Sequence, residues 1–319
     1  MTSKLISICV PCYNEEANIE NAYEVIVRVM ESIPDIRFEI LFEDNASQDR
    51  SVEILRSLAA KDSRVKVILN EKNYGPGRSG TNCLFRSSGD AAVLIACDLQ
   101  DPPELIPKFI ELWGGDPVIV WGQREGSLES KSMSRVRSAY YWFMSKKCEV
   151  PLIPNVDGYG LYDRRILCAA ESFCDDNRGM KLFAAESQCS VRLVPYVQRA
   201  RERGKSSYSI SSYFSLAFKM ILESSQKPVI WCRNAGLICG IISLIGFIAS
   251  LLFGLLASSI SDVAIVLIGS AILFVLSIQL LFTALLGYYL RALIKSGYKM
   301  PLVYEKETMN MTADHVDNP

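Results

Sequence analysis

The sequence predicts an α/β domain built on a mostly parallel sheet, followed by a C-terminal two-helix transmembrane hairpin. Three observations carry that prediction. Short apolar, strand-like runs alternate with helix-like segments from residue 1 to about 122. The runs are almost continuously apolar, as strands covered on both faces are. Residues 235–290 hold a single charged side chain, Asp262, although the 319-residue chain carries 34 basic and 35 acidic side chains.

Taken in order, the strand candidates are 5–10 (LISICV), 37–43 (RFEILFE), 64–69 (RVKVIL), 91–97 (AAVLIAC) and 117–122 (PVIVWG), with helix-like segments at 15–32, 48–61 and 103–113. Residues 123–207 are mixed: a basic helical stretch Lys131–Lys147, a Gly-containing segment Asp157–Asp163, and an Arg/Gly/Ser run Arg199–Tyr208. Between Ile210 and Gln226 the apolar residues Ile210, Tyr213, Phe214, Ala217, Phe218 and Ile221 recur at spacings of three and four, which predicts an amphipathic helix at the membrane interface. Two apolar segments follow, 235–257 and 263–290. At about 1.5 Å per residue the shorter reaches roughly 35 Å, enough to cross a hydrocarbon core of about 30 Å. The link Ser258–Asp262 has no Lys or Arg, whereas Arg233, Arg291, Lys295 and Lys299 flank the outer ends, so both ends are expected in the cytoplasm. The expected division is a catalytic domain at 1–207, an interfacial helix and linker at 208–232, the hairpin at 233–295 and a cytoplasmic tail at 296–319.

Composition excludes several chemistries. A net charge of −1 gives no bulk attraction to nucleic acid, so no nucleic-acid partner is expected. The one histidine, His315, stands in a polar tail, which removes Ser-His-Asp triads and histidine bases from the folded part. The ten cysteines are scattered, and the N-terminal stretch lacks a signal-peptide pattern, so a reduced, cytosolic domain is expected. Cys9 and Cys12 form a C-x-x-C, but Cys9 falls inside the apolar run Leu5–Val10, where strand packing explains it.

In sheets of this kind ligands bind beyond the carboxyl ends of the strands. The first strand is followed by Pro11-Cys12-Tyr13-Asn14-Glu15-Glu16 and the second by Glu43-Asp44-Asn45-Ala46-Ser47-Gln48-Asp49. There Asp44 is suited to accept hydrogen bonds from a base or ribose, and Ser47 or Asp49 to cap the next helix. The third leads into Asn70–Gly77, with Asn73 and Gly75 in a loop that lets a ligand approach the backbone closely. The fourth leads into Asp98-Leu99-Gln100-Asp101-Pro102-Pro103-Glu104. On an extended chain Asp98 and Gln100 place two oxygens on one side, which suits a hard divalent ion on a diphosphate. Pro102 and Pro103 fit a helix start capped by Asp101.

Together with the Gly122-Gln123-Arg124 turn, the run Arg201–Tyr208 and the two apolar segments, these motifs resemble family 2 glycosyltransferases of the dolichol-phosphate mannose synthase type. They are most similar to the bacterial polyprenyl-phosphate (bactoprenol) glycosyltransferases, which share a C-terminal hairpin. The resemblance implies a GT-A fold and a hexosyltransferase. It implies a nucleotide-sugar site at Pro11, Tyr13, Glu15, Asp44, Asn73, Gly75 and Asp98, and Mg²⁺ or Mn²⁺ on Asp98 and Gln100. The polyprenyl phosphate would meet Arg124, Arg135, Arg137, Arg201 and Ser206, and Asp98, Arg124 and Arg201 would carry catalysis. In two places the chain departs from the family: Ala96 stands where the metal motif has its first Asp, and Asp44-Asn45 replaces an Asp-Asp pair. Asp157–Arg164 matches the family's acceptor region only loosely.

A lipid phosphate is an anion near neutral pH, so transfer to it needs no strong base, in keeping with a domain without histidine. The work of the site is to hold two anions together, through Arg forks and a metal. Inversion at the anomeric carbon is the stereochemistry the family implies. A processive glycan synthase would need more membrane helices, and a membrane-tethered sugar-nucleotide-binding partner without activity is the reading Ala96 favours. A homo-oligomer is compatible with either. A chain ending at residue 226 is expected to keep nucleotide binding and lose transfer to long-chain lipid.

Overall fold

The computed structural model describes residues 3–125, 153–174, 179–199 and 301–311, with isolated helical positions between 268 and 293. Arg135, Arg137, Arg201, Ser206, the helix expected at 210–226 and the span 235–257 lie outside the described residues. Met1–Ser145, Val150–Tyr208 and Met300–Pro319 form one compact unit, and Lys146–Glu149 with Ser209–Lys299 another.

The first unit contains β1 (Lys4–Cys12), α1 (Ile19–Glu31), β2 (Ile36–Asp44), α2 (Ser51–Lys61), β3 (Val65–Asn70), α3 (Pro76–Arg86) and β4 (Ala91–Leu94). A 3₁₀ turn (Pro103–Leu105) leads into α4 (Ile106–Trp113) and β5 (Val118–Arg124), and β6 (Gly160–Asp163), α5 (Arg164–Glu171), α6 (Met180–Ser187), β7 (Ser190–Tyr196) and β8 (Glu305–Met309) complete it. The sheet has eight strands in the order β7-β5-β6-β4-β1-β2-β3-β8. β6 and β8 run against the others, so the sheet is mostly parallel, as the alternation of elements predicted.

Strand periodicity sorts the core into two layers. Ile6, Ile8, Val10 and Cys12 of β1 face one side, where α1, α2 and α4 pack with Ile19, Ile26, Leu55 and Phe109. Cys9 faces the other, with Cys83 and Leu84 of α3, Leu167 of α5 and Phe183 of α6. Cys9 is fully buried, and its thiol donates to the carbonyl of Cys83 at 3.3 Å, so the C-x-x-C is strand packing. The order reverses at β1, which has β2 on one side and β4 on the other. This is the switch point where open α/β sheets place their crevice.

Several local expectations change. β4 ends at Leu94, not at 97, where its pairing with β6 stops opposite Gly160, and beyond it the chain turns at Cys97–Asp98 with Leu99 at a left-handed φ of 51°. The extended arrangement expected for Asp98 and Gln100 is therefore replaced by a tight turn. Ser47 does not cap α2; its hydroxyl accepts the backbone N–H of Asn14 at 2.8 Å. Asp101 caps no helix either; it is buried and serves as an acceptor for Tyr196 and Gln198. Gly122-Gln123-Arg124 is strand, not turn, paired with Val194, Pro195 and Tyr196 of β7.

The largest difference lies in the segment expected as a tail. Glu305–Met309 pairs antiparallel with β3 as an edge strand, with Glu305 opposite Asn70 and Met309 opposite Val67. Its sequence, EKETM, has no alternating apolar pattern, because an edge strand can be held by backbone pairing and side-chain contacts at one border of the sheet.

Among the described residues no helix is long and apolar enough to cross a membrane. The described positions between 268 and 293 are helical, and apolar side chains there are exposed, among them Ile272, Phe274, Leu286, Leu290 and Leu293.

Candidate active site

The carboxyl ends of β1, β2, β3 and β4 lie on one rim, and hydrogen bonds cross-link the loops after the first three. The Asn45 amide N–H donates to the Cys12 carbonyl at 2.9 Å. The loops after β1 and β2 are cross-linked further: Glu15 N–H donates to Ser51 Oγ at 3.0 Å, Glu16 N–H to Asp49 Oδ2 at 3.1 Å, and Gln48 N–H to Asn14 Oδ1 at 2.8 Å. Asn14, Ala46 and Leu99, one in each of three rim loops, have φ of 54°, 63° and 51°. Asn tolerates this region, whereas for Ala46 and Leu99 it costs about 1–2 kcal/mol each. Strain of this kind persists where the surrounding structure fixes it, which is commonly at functional sites.

Asp44 ends β2 on this rim. Its Oδ2 accepts the Ser47 N–H at 2.9 Å, while Oδ1 is buried and accepts no hydrogen bond. Burial raises the Asp44 carboxyl above its ordinary range, against the lowering effect of the Ser47 hydrogen bonds. A buried acceptor of this kind is stabilised by an incoming N–H or O–H. Tyr13 stands exposed on the β1 loop, next to Cys12, which is the register partner of Asp44, with Pro11 and Glu15 half-buried.

The β3 loop is organised by asparagines. Asn45 Nδ2 donates to Asn73 Oδ1 at 2.9 Å, Asn73 Oδ1 also accepts the Gly75 N–H at 2.8 Å, and Asn45 Oδ1 accepts the Tyr74 N–H at 3.0 Å. Asn73 thus shapes the loop through its side chain. Gly75 has φ of 85°, and a Cβ built on Gly75 or Gly77 would meet no atom within 4 Å, so both glycines border open space at the start of α3.

Asp98 and Gln100 are half-buried at the end of β4, and Ala96 is exposed. The Gln100 carbonyl accepts the Arg199 N–H at 2.9 Å, which brings the start of the Arg199–Tyr208 run to the predicted metal motif. Among the described residues no group of three or more His, Cys, Asp or Glu could hold a metal ion by itself. One carboxylate and one amide oxygen nevertheless fit a hard cation that takes its remaining oxygens from water and substrate phosphates, the usual mode for Mg²⁺.

Arg124 ends β5 beside a cluster the sequence did not disclose. Its Nη2 pairs with Asp157 Oδ2, and its Nε donates to the Tyr196 hydroxyl at 3.4 Å. Lys181 approaches the same Asp157 carboxylate at 3.5 Å. Burial works to lower the Arg124 pKa, but Asp157 and Tyr196 leave it raised, so the guanidinium stays charged. Tyr196 in turn donates to Asp101 Oδ1 at 2.6 Å. Tyr196 of β7 falls in the stretch 123–207 that is mixed in sequence, and Lys181 on α6 carries no motif. Asp157 was visible only as part of a loosely matching segment.

A model of the family "Glycosyl transferase family 2" matches residues 7–181. CsbB of Bacillus subtilis (strain 168), named provisionally as a glycosyltransferase, is 30% identical over 96% of this chain and 93% of its own. The bactoprenol glucosyl transferase of Shigella phage SfV is 28% identical over 95% of this chain and 98% of its own. Among solved structures, the glucosyl-3-phosphoglycerate synthase of Mycobacterium tuberculosis, in complex with Mn²⁺, uridine diphosphate and glucosyl-3-phosphoglycerate, is 22% identical with a TM-score of 0.46, covering 69% of this chain and 78% of that one. On the family match and the full-length relatives, the chain belongs to glycosyl transferase family 2 and is a glycosyltransferase.

Proposed function

We propose that this glycosyltransferase moves a sugar from a nucleotide sugar, of the UDP-glucose kind, to the phosphate of a membrane polyprenyl phosphate such as undecaprenyl phosphate, for cell-surface glycan modification. The observation that carries the donor half is Asp44 Oδ1, a buried acceptor without a donor at the switch-point rim. The acceptor half is supported by relatives named bactoprenol glucosyl transferase that align over almost the whole chain.

A membrane hairpin with both ends in the cytoplasm fits this reading. Arg199 and Pro301 both belong to the unit that holds the sheet. A chain that leaves that unit into a bilayer and returns to it crosses an even number of times. The exposed apolar side chains at 268–293 and the nearly uncharged stretch 235–290 favour lipid as their surroundings.

Asp44 receives the donor's base or ribose, with Pro11 and Tyr13 bordering it and Asn73 and Gly75 holding the loop open. Asp98 and Gln100 would hold Mg²⁺ or Mn²⁺, which supplies positive charge to the diphosphate leaving group. Arg124 faces the acceptor phosphate. Its guanidinium has five N–H donors, so the bonds to Asp157 and Tyr196 fix its plane without exhausting it. Arg201 and Ser206, with Arg135 and Arg137, complete the proposed phosphate site. The phosphate oxygen arrives ionised, and in-line attack inverts the anomeric carbon.

The test is to incubate membranes bearing the protein with UDP- and GDP-sugars and undecaprenyl phosphate, with and without EDTA, and to identify the lipid by mass spectrometry. A sugar-phosphate-undecaprenol that disappears with EDTA and carries the inverted anomer by NMR is expected. Transfer to a growing glycan instead would overturn the acceptor assignment.

A further inference from the structure

The C-terminal segment 301–309 touches the donor side of the site at two points. The first is a chain of buried polar groups. Glu305 of β8 pairs with the Arg86 guanidinium at 2.9 Å and accepts from Asn82 Nδ2 at 3.3 Å. Asn82 Nδ2 also donates to Glu43 Oε2 at 3.0 Å, and Glu43 Oε1 accepts from Asn70 Nδ2 at 2.9 Å. Asn70 Nδ2 reaches Asn45 Oδ1 at 3.4 Å, the same oxygen that holds the Tyr74 N–H. Glu43, Asn45, Asn70 and Asn82 are all buried. The second point is the loop itself. Arg78 Nε donates to the Leu302 carbonyl at 2.6 Å, with its guanidinium 4.9 Å from the Tyr74 ring centroid, and the Glu71 N–H donates to the Tyr304 carbonyl at 2.9 Å. The β3–β8 register breaks between Leu69 and Asn70, where strand becomes loop.

We propose that Glu305, with the carbonyls of Leu302 and Tyr304, positions the donor loop, Glu305 acting through Asn82 and Glu43 on Asn70 and Asn45. The physical reason is satisfaction of buried groups. Asn70, Asn82 and Glu43 are too deep to turn to water, so each holds its rotamer only while its neighbour does. Removing Glu305 leaves Asn82 and Arg86 without a shared carboxylate, and the displacement ends at Asn45, whose two side-chain atoms set the loop at Asn73 and Tyr74. Ten residues, 291–300, separate the segment from the end of the apolar stretch 263–290. This inference rests on the reading of Asp44 and Asn70–Gly77 as the donor side.

The experiment uses the full chain and compares wild type with Glu305→Ala, Glu305→Gln and Lys306→Ala. Three readouts are taken: amide hydrogen exchange over residues 71–77, titration with UDP-glucose and GDP-mannose, and KM for donor and lipid separately. Glu305→Ala is expected to speed exchange in the loop and to raise donor KM about twofold to thirtyfold, the range of coupling through such networks, with lipid KM unchanged. Glu305→Gln, which keeps an acceptor oxygen for Asn82, is expected to recover most of the affinity, and Lys306→Ala to match wild type. Unchanged exchange at 71–77, or equal rises in donor and lipid KM, would overturn the proposal. A wild-type protein that binds neither nucleotide sugar would instead overturn the donor reading on which it rests.

Discussion

The Asp101 carboxylate accepts a 2.6 Å hydrogen bond from the Tyr196 hydroxyl, which joins the loop after β4 to the end of β7. Burial raises the Asp101 pKa and also raises that of Tyr196, and the hydroxyl that donates to Asp101 accepts from Arg124. One tyrosine therefore sets the positions of a buried acid and of the arginine assigned to the acceptor phosphate. Tyr196→Phe is expected to lower stability by about 1–3 kcal/mol, the usual cost of leaving a buried group short of a partner. It should also reduce kcat more than donor binding. Urea melts with steady-state kinetics check this, and an unchanged kcat would remove Tyr196 from the site.

Nothing larger than glycine fits at position 122 of β5 without a shift of its neighbours. A Cβ there would lie 2.8 Å from the Tyr159 ring and 2.9 Å from the Tyr196 ring. Gly122→Ala is expected to cost about 1–3 kcal/mol through overpacking. Because it displaces Tyr196, it should also impair turnover at temperatures well below its own Tm. Thermal melts and rates measured on the same preparation separate the two effects.

Glu43 gives a stability signature in pH. Burial is the largest cause of its rise from an ordinary 4.5 to about 8, opposed by the Asn70 and Asn82 hydrogen bonds. Between those values the folded protein keeps a proton that the unfolded chain releases. This contribution to stability is therefore complete below about 4.5, declines as pH rises, and is lost above about 8. Comparing Tm of wild type and Glu43→Gln across this window should show the difference moving steadily in favour of the Gln variant. A constant difference would mean that Glu43 is ionised throughout.

Asp98→Asn should abolish sugar transfer while leaving the fold intact, since Asp98 is half-buried at a loop and not part of the core. Circular dichroism and the lipid-product assay check this pair of outcomes. Retained transfer would take the metal away from Asp98.

A chain ending at residue 226 is not the clean test of the membrane segments that the sequence suggested. Such a truncation also deletes β8 and exposes β3, with Asn82 and Arg86 losing Glu305. It is expected to lose donor binding as well as lipid transfer. Replacing 227–299 by a flexible linker and keeping 300–319 should preserve donor binding, measured by titration, and still lose transfer to long-chain lipid.

By itself, the sequence determined the α/β class, the places of the first five strands along the chain, and the loops that form the rim. Those features depend on local periodicity, and ligand loops in parallel sheets follow the strand ends in chain order. It also placed Asp44 at the carboxyl end of the second strand, which needs only the strand boundary. Tertiary structure alone decided the rest. The Asp101–Tyr196–Arg124–Asp157 cluster joins residues far apart in the chain, and none of them stands in a periodic pattern of its own. The left-handed turn at Leu99 follows from what surrounds it, because no local preference puts a leucine there. Most of all, Glu305–Met309 reads as a polar tail until β3 is present to pair with it. An edge strand draws its stability from a partner's backbone, and a backbone leaves no mark on the residues that pair with it.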